Sequence, residues 1–160
     1  MKKLSITCIA ALAATTLSAP AFAQHVVPPG TSFSAVGTAT LNSNICVLTL
    51  NANSNATGTG GTITGGTNTG PGICSYITID PGATYVLTTY HAGPPASVDA
   101  QLSGLKVRVG GALTCVQGAT PINFTITNNA GGTTSQIKLV ATIGACTVSA
   151  NLAAPVTVGP

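Results

Sequence analysis

The chain has 160 residues, only 4% of them charged, and it contains no Glu. This near-neutral balance excludes the electrostatic binding of nucleic acid, which needs many Lys or Arg contacts to phosphate. It also leaves few side chains for acid, base or metal chemistry. The sequence therefore predicts no catalytic residue, no cofactor and no metal ion, and it indicates a protein that is not an enzyme. After residue 23 the formal charges are Asp80, Asp99, Lys106, Arg108 and Lys138.

Residues 1–23 have the three parts of a secretory signal peptide in order. Met1-Lys2-Lys3 is a basic start, an apolar stretch covers about 4–17, and Ala21-Phe22-Ala23 supplies small residues two apart. This order disfavours the alternative of an N-terminal helix in the folded domain. We expect cleavage after Ala23 to release a single β-rich domain, 24–160, across a bacterial inner membrane to the cell surface, the extracellular space or the periplasm. No later segment is long and apolar enough to predict a transmembrane helix.

The period-two alternation that is typical of half-buried strands recurs through residues 24–160. In the first run, Phe33, Ala35, Gly37, Ala39 and Leu41 share one face. Turn sequences such as Asp80-Pro81-Gly82 separate the runs. About eight or nine short strands at this spacing predict an all-β fold, an antiparallel β-sandwich with two disulfides. The later runs lie at 46–50, 73–79, 84–90, 105–109, 122–126, 137–143, 146–152 and 156–158.

The cysteines support a disulfide framework in an exported chain. Cys8 lies in the predicted signal peptide, which leaves Cys46, Cys74, Cys115 and Cys146 and three possible pairings. Cys46–Cys74 with Cys115–Cys146 is favoured because each bridge then closes a loop of about thirty residues, worth about 3–4 kcal/mol in the loop-entropy model. A metal site is disfavoured because no Cys-x-x-Cys occurs and no histidine is close to a cysteine in sequence.

The segment 51–70 is a low-complexity stretch of Asn, Thr, Gly and Ala with Ile63 near its middle. Three interpretations compete: a flexible surface loop, a short strand around Thr62-Ile63-Thr64, or a β-helical coil. The absence of a sustained fixed-period repeat disfavours the coil.

Candidate catalytic groups are few. A triad or a carboxylate pair would have to draw on His25, His91, Asp80 and Asp99. His25 is expected in an N-terminal tail and His91 in a loop, while Asp80 opens a turn and Asp99 precedes a strand. These are ordinary structural positions, so the sequence predicts no active site. A small polar-aromatic surface for glycans would draw on Tyr76, Tyr85 and Tyr90.

Several motifs resemble the PraA/PraB-type family, the small exported "protein activators of alkane oxidation". They are the run from Thr31 to Leu41, Cys46-Val47-Leu48-Thr49-Leu50, Cys74-Ser75 and Gly144-Ala145-Cys146-Thr147-Val148-Ser149. The resemblance implies a secreted or cell-surface protein linked to growth on hydrocarbons or to biofilm adhesion. It carries over no catalytic residue.

Two functions stay open from the sequence. The leading hypothesis is a secreted structural or adhesive protein of the cell surface or biofilm matrix, an adhesin or fibre subunit that self-assembles through sheet edges into a homo-oligomer or filament. Its neutral, Thr-rich surface lacks the charges that keep strand edges apart. The segment Gln24–Val27 would be either a strand donated to a neighbour or a disordered tail. The alternative is a surface binding protein for hydrophobic compounds or for glycans such as a surface polysaccharide.

Overall fold

The structure is a computed structural model that describes residues 24–160, so the predicted signal peptide and Cys8 lie outside the described residues. Within that range, no helix is both long and apolar enough to cross a membrane. A short 3-10 turn covers Cys74–Tyr76, and the rest of the regular structure is strand. The strands are β1 (His25–Val27), β2 (Ser32–Leu41), β3 (Asn44–Ser54), β4 (Gly60–Thr69), β5 (Ile77–Ile79), β6 (Thr84–His91), β7 (Ser97–Ser103), β8 (Lys106–Val109), β9 (Ala112–Val116), β10 (Ile122–Asn128), β11 (Ser135–Ile143), β12 (Cys146–Ala154) and β13 (Thr157–Gly159).

The main sheet closes on itself. Eight antiparallel strands follow the order β3-β2-β12-β11-β10-β7-β6-β4, and β4 pairs back to β3. The predicted all-β class and the two disulfides are confirmed, but the predicted sandwich is wrong, because these strands form a closed eight-stranded barrel. Alternation cannot separate the two folds, since both put every second side chain into the core.

The low-complexity segment 51–70 forms the seam that closes the barrel. It supplies the end of β3 and all of β4, so the loop and coil interpretations are wrong and the strand is longer than 62–64. Gly61 lies directly across from Tyr85 on β6. A Cβ at Gly61 would overlap the carbonyl oxygen of Asn53 and lie 2.8 Å from Oη of Tyr85. Glycine there lets the backbones and the ring approach closely. Because glycine has no side chain, this part of the strand lacks the apolar–polar alternation by which a strand is recognised in a sequence.

One end of the barrel is covered by an arm formed by β5, β8 and β9, which extends from β4. Ile77 and Val107 of this arm are buried against the inward-facing Leu41 and Leu48. Both disulfides tie this end together: Cys46–Cys74 holds the 3-10 turn to the start of β3, and Cys115–Cys146 holds β9 to the start of β12. We call β5, β8 and β9 the disulfide-tied arm.

The opposite end is covered by a two-stranded ribbon of β1 and β13, here called the terminal ribbon. Val26 and Val158 face each other across it and both are buried. The backbone N–H of Val26 also donates to the carbonyl of Gly58, at 2.8 Å. The disordered tail predicted for Gln24–Val27 is therefore wrong, and the strand considered for donation to a neighbour instead pairs, as β1, with β13 of its own chain.

Candidate functional site

The barrel encloses a cavity of about 80 Å³. Inward-facing side chains from all eight strands of the ring line it, together with residues from both covered ends. An eight-stranded barrel is just wide enough to be filled by its own side chains or to hold one small ligand. The lining residues are Val26, Phe33, Leu48, Leu50, Ala52, Ile63, Ile79, Tyr85, Leu102, Leu105, Phe124, Ile126, Ile137, Leu139, Val148, Ala150, Leu152 and Val156.

Small side chains at inward positions explain why this interior is not filled. Ala39 and Ala150 face each other across β2 and β12, and Ala35 and Leu50 face each other across β2 and β3. Ala52 follows two residues after Leu50 on the same inward face. Of these alanines, Ala52 and Ala150 line the cavity, and each leaves a space there that a larger aliphatic side chain would occupy. Several lining side chains accordingly keep accessible surface although they point inward: Phe33, Leu50, Ile79, Phe124, Ile137, Val148 and Ala150.

Tyr85 is the one lining residue with a side-chain polar atom. Its ring is buried, and Oη has less than 1 Å² of accessible surface and no hydrogen-bond partner. Oη lies against the backbone of β4 beside Gly61 rather than at the cavity surface. Burial penalises the tyrosinate form and raises the pKa of Tyr85 to about 12. The cavity wall is therefore hydrocarbon throughout.

The two ends of the cavity are closed in different ways. Ile79 and Leu105 bound it on the side of the disulfide-tied arm, and Val26 and Val156 bound it on the side of the terminal ribbon. The arm is held by covalent bonds, whereas the ribbon is held by hydrogen bonds and packing alone.

The cysteines take the pairing favoured from loop length. The Cα–Cα distance is 5.5 Å for Cys46–Cys74 and 5.8 Å for Cys115–Cys146. Their role is to fix the arm over the barrel end, which loop length alone does not reveal.

Asp80 is paired as well as placed at a turn. Nε of Arg108 donates to its Oδ1 at 2.7 Å and its Oδ2 at 3.0 Å. This hydrogen-bonded guanidinium lowers the pKa of Asp80 and raises the pKa of Arg108. The pair links β8 to the turn after β5, so it stabilises the disulfide-tied arm.

His91 and Asp99 meet on the outer wall, which the sequence pattern did not predict. Nε2 of His91 and Oδ2 of Asp99 are 2.8 Å apart, and both side chains are about half exposed. Hydroxyl Oγ1 of Thr125 donates to Oδ1 of Asp99 at 3.4 Å. His91 ends β6 and Asp99 lies within β7, so the loop and pre-strand placements are wrong. Among residues 24–160, no group of three or more His, Cys, Asp or Glu is arranged to hold a metal ion.

The three tyrosines do not form the shared polar-aromatic surface considered for glycans. Tyr76 is exposed on the 3-10 turn, Tyr90 is half-buried near Val98, and Tyr85 is inside the barrel. His25 lies in β1 rather than in a tail. The missed residue of interest is Tyr85, because the alternation around 84–90 does not say which face is internal.

A family model described as alkane oxidation protein activator PraA/PraB-like matches residues 1–159. The chain belongs to this PraA/PraB-like family. No curated protein and no solved structure matches it significantly. The family's link to alkane oxidation and the hydrocarbon wall of the cavity concern the same class of molecule.

Proposed function

We propose that this PraA/PraB-like protein is an exported, non-enzymatic binding protein that holds a small apolar molecule of the hydrocarbon class inside its barrel. The observation that supports this most directly is the cavity of about 80 Å³ with its hydrocarbon wall. An apolar cavity of about 150 Å³ stays free of water and binds benzene or xenon. The cavity in this protein has about half that volume, so it suits a smaller apolar guest. The proposed export rests on the signal sequence predicted at residues 1–23.

The driving force is the burial of apolar surface. Each square ångström removed from water contributes about 25 cal/mol, or about 0.8 kcal/mol for each buried CH₂ group. A guest of a few carbons fits the existing space, whereas a longer chain must displace side chains at one of the covered ends. The protein therefore binds a short hydrocarbon that the cavity encloses completely.

The test compares two Ala→Leu variants on one strand. Ala150 lines the cavity and Ala153 is exposed on the outer face of β12. We expect Ala150→Leu to fill the cavity and abolish the binding of n-butane and xenon, followed by methyl NMR shifts, while Ala153→Leu binds as the wild type does. Thermal unfolding establishes that both variants are folded. Failure of the wild type to bind either guest, or equal binding by both variants, would reject the proposal.

A second function, self-association in an adhesive or matrix role, is favoured by the outer wall over β3, β2, β12 and β11. Register places Ile45 beside Thr40, Thr40 beside Ser149, and Ser149 beside Val140, in a row without charge. Ile45 is 65% exposed and Val140 is 82% exposed. Exposed apolar surface of this kind is typical of interaction sites.

The wall supports this function better than strand edges do. Ring closure removes the edges of eight strands, and in the described part of the chain the large sheet keeps only β9 as an edge. Ile45→Lys with Val140→Lys should abolish any oligomer seen by sedimentation velocity. Val86→Lys, on another exposed part of the wall, is the control. A monomeric wild type at high concentration, with no fibres by electron microscopy, would reject self-association.

A further inference from the structure

The wall of the cavity lacks hydrogen-bonding groups, which limits the guests that it can bind. Its wall presents carbon atoms, and the one side-chain polar atom among its lining residues, Oη of Tyr85, is turned against β4 with less than 1 Å² accessible. The described charged side chains Asp80, Asp99, Lys106, Arg108 and Lys138 are not among the lining residues. A polar group on a guest would therefore find no hydrogen-bond partner.

We infer that the cavity selects unsubstituted hydrocarbons and rejects their oxidised derivatives, the alcohols and carboxylic acids of the same chain length. This inference rests on the proposed function and adds the chemical class of the guest. Moving a hydroxyl from water into surroundings that cannot hydrogen-bond costs a large amount of free energy, and moving an ionised carboxylate costs far more.

Water cannot relieve this loss inside the cavity. A buried water needs two to four polar partners. A water that entered with an alcohol would have the alcohol as its hydrogen-bond partner, because the hydrocarbon wall offers none. The cavity thus behaves towards a hydroxyl like an alkane solvent rather than like octanol, in which hydrogen bonds are partly retained.

Selection of this kind places the protein on the substrate side of hydrocarbon oxidation. A guest that gains an oxygen atom loses its affinity for the cavity. The protein would hold the unreacted hydrocarbon and would not retain the alcohol formed from it.

The experiment measures dissociation constants for n-butane, 1-butanol and butanoate with the mature protein, by titration of methyl NMR signals. We expect 1-butanol to bind at least about a hundredfold more weakly than n-butane, the factor that corresponds to a largely uncompensated hydroxyl. Butanoate should show no binding at the cavity. An alcohol within about tenfold of the alkane would overturn the inference.

Two variants test whether Oη of Tyr85 forms a hydrogen bond with a polar guest. Tyr85→Phe removes the one side-chain polar atom of the lining residues, and Ser135→Ala removes a buried, unpartnered hydroxyl that does not line the cavity. We expect both variants to keep the wild-type ratio of 1-butanol to n-butane affinity. A roughly tenfold loss of alcohol affinity in Tyr85→Phe alone would show that Oη turns to receive a ligand oxygen, and the inference would be wrong. Binding of n-butane with no selectivity rejects the inference but keeps the proposed function, whereas absence of binding by every guest rejects both.

Discussion

The side-chain amide of Asn128 pairs with the backbone of Val158 as a neighbouring strand would. Nδ2 of Asn128 donates to the carbonyl of Val158 at 2.8 Å, and the N–H of Val158 donates to Oδ1 of Asn128 at 2.9 Å. These two bonds attach the terminal ribbon to the end of β10. The ribbon has no covalent tie of the kind that holds the arm, so it is the end that opens more readily.

Asn128→Ala should therefore speed guest exchange. The loss of two hydrogen bonds at a part-buried site is expected to cost about 1–3 kcal/mol. Hydrogen exchange at Val26 and Val158 should accelerate, and the dissociation rate of n-butane should rise, because local opening limits both. Asn123→Ala, at an exposed position on the same strand, is the control. An unchanged dissociation rate of the guest in Asn128→Ala would mean that guests enter at the end covered by the disulfide-tied arm.

Removal of a disulfide should destabilise the arm end. Cys46–Cys74 and Cys115–Cys146 span 28 and 31 residues of chain. We expect each paired Cys→Ala double variant to lose about 3–4 kcal/mol in the free energy of unfolding, since loops of this size are restricted in the unfolded chain. Urea unfolding under non-reducing conditions measures this loss. A loss below about 1 kcal/mol for either bridge would show that the arm is held by packing alone.

The strands that the sequence predicts well are those in which every second residue is apolar. Strand β11 is an example, with Ile137, Leu139, Ala141 and Ile143 on one inward face. Alternation there comes from local burial, which is the same in a sandwich and a barrel. Closure depends instead on the pairing of β4 with β3 and β6, and β4 is rich in glycine, which has no side chain to alternate.

The candidate site was hidden for the same reason. Ala150 reads as an ordinary core position, and Ala52 falls in the low-complexity segment 51–70. Both border a cavity only when the ring is closed. His91 and Asp99 meet because β6 and β7 pair in a register that includes an irregularity between Leu87 and Thr89. Register and bulges of this kind arise from contacts between strands and leave no periodic mark in the sequence.

The Asp80–Arg108 pair should give the protein an acid-sensitive component of stability. The pKa of Asp80 is lowered from 3.8 in the folded state, chiefly by its hydrogen bond to Arg108. A carboxyl with a lowered folded pKa stabilises the protein above its unfolded pKa, and this contribution is lost as the pH falls through the folded pKa. The free energy of unfolding should therefore fall below about pH 4 in the wild type, and less steeply in Asp80→Asn. Identical acid slopes for wild type and Asp80→Asn would contradict the prediction.

Gly61→Ala should damage the seam. The added methyl would overlap the carbonyl oxygen of Asn53 and crowd the ring of Tyr85. We expect a loss of about 1–3 kcal/mol in the free energy of unfolding, typical of overpacking. Gly118→Ala is the matched control, because no atom lies within 4 Å of the added methyl and the backbone at Gly118 is not left-handed. Equal stability of the two variants would mean that β3 and β4 can separate without cost.

Tyr85→Phe should leave the protein as stable as the wild type or make it more stable. The hydroxyl has no partner, and an unpartnered buried hydroxyl costs about 1–3 kcal/mol, so its removal relieves a penalty while the ring keeps its packing. Tyr76→Phe, at an exposed tyrosine, is the control and should be neutral. A clear loss of stability in Tyr85→Phe would indicate that Oη has a hydrogen-bond partner in solution.

The raised pKa of Tyr85 predicts a loss of stability at alkaline pH. Burial raises the pKa of Tyr85 from 10.0 to about 12, so the folded state holds its proton where the unfolded state begins to lose it. The stability that this shift contributes is complete below about pH 10 and is lost as the pH rises towards 12. Titration of tyrosinate absorbance should therefore contain a late step near pH 12 that Tyr85→Phe lacks. The free energy of unfolding should fall more steeply above pH 10 in the wild type than in the variant. A titration of Tyr85 complete by pH 10.5 would place its hydroxyl in contact with water, and the dry, hydrocarbon character of the cavity wall would then be wrong at this residue.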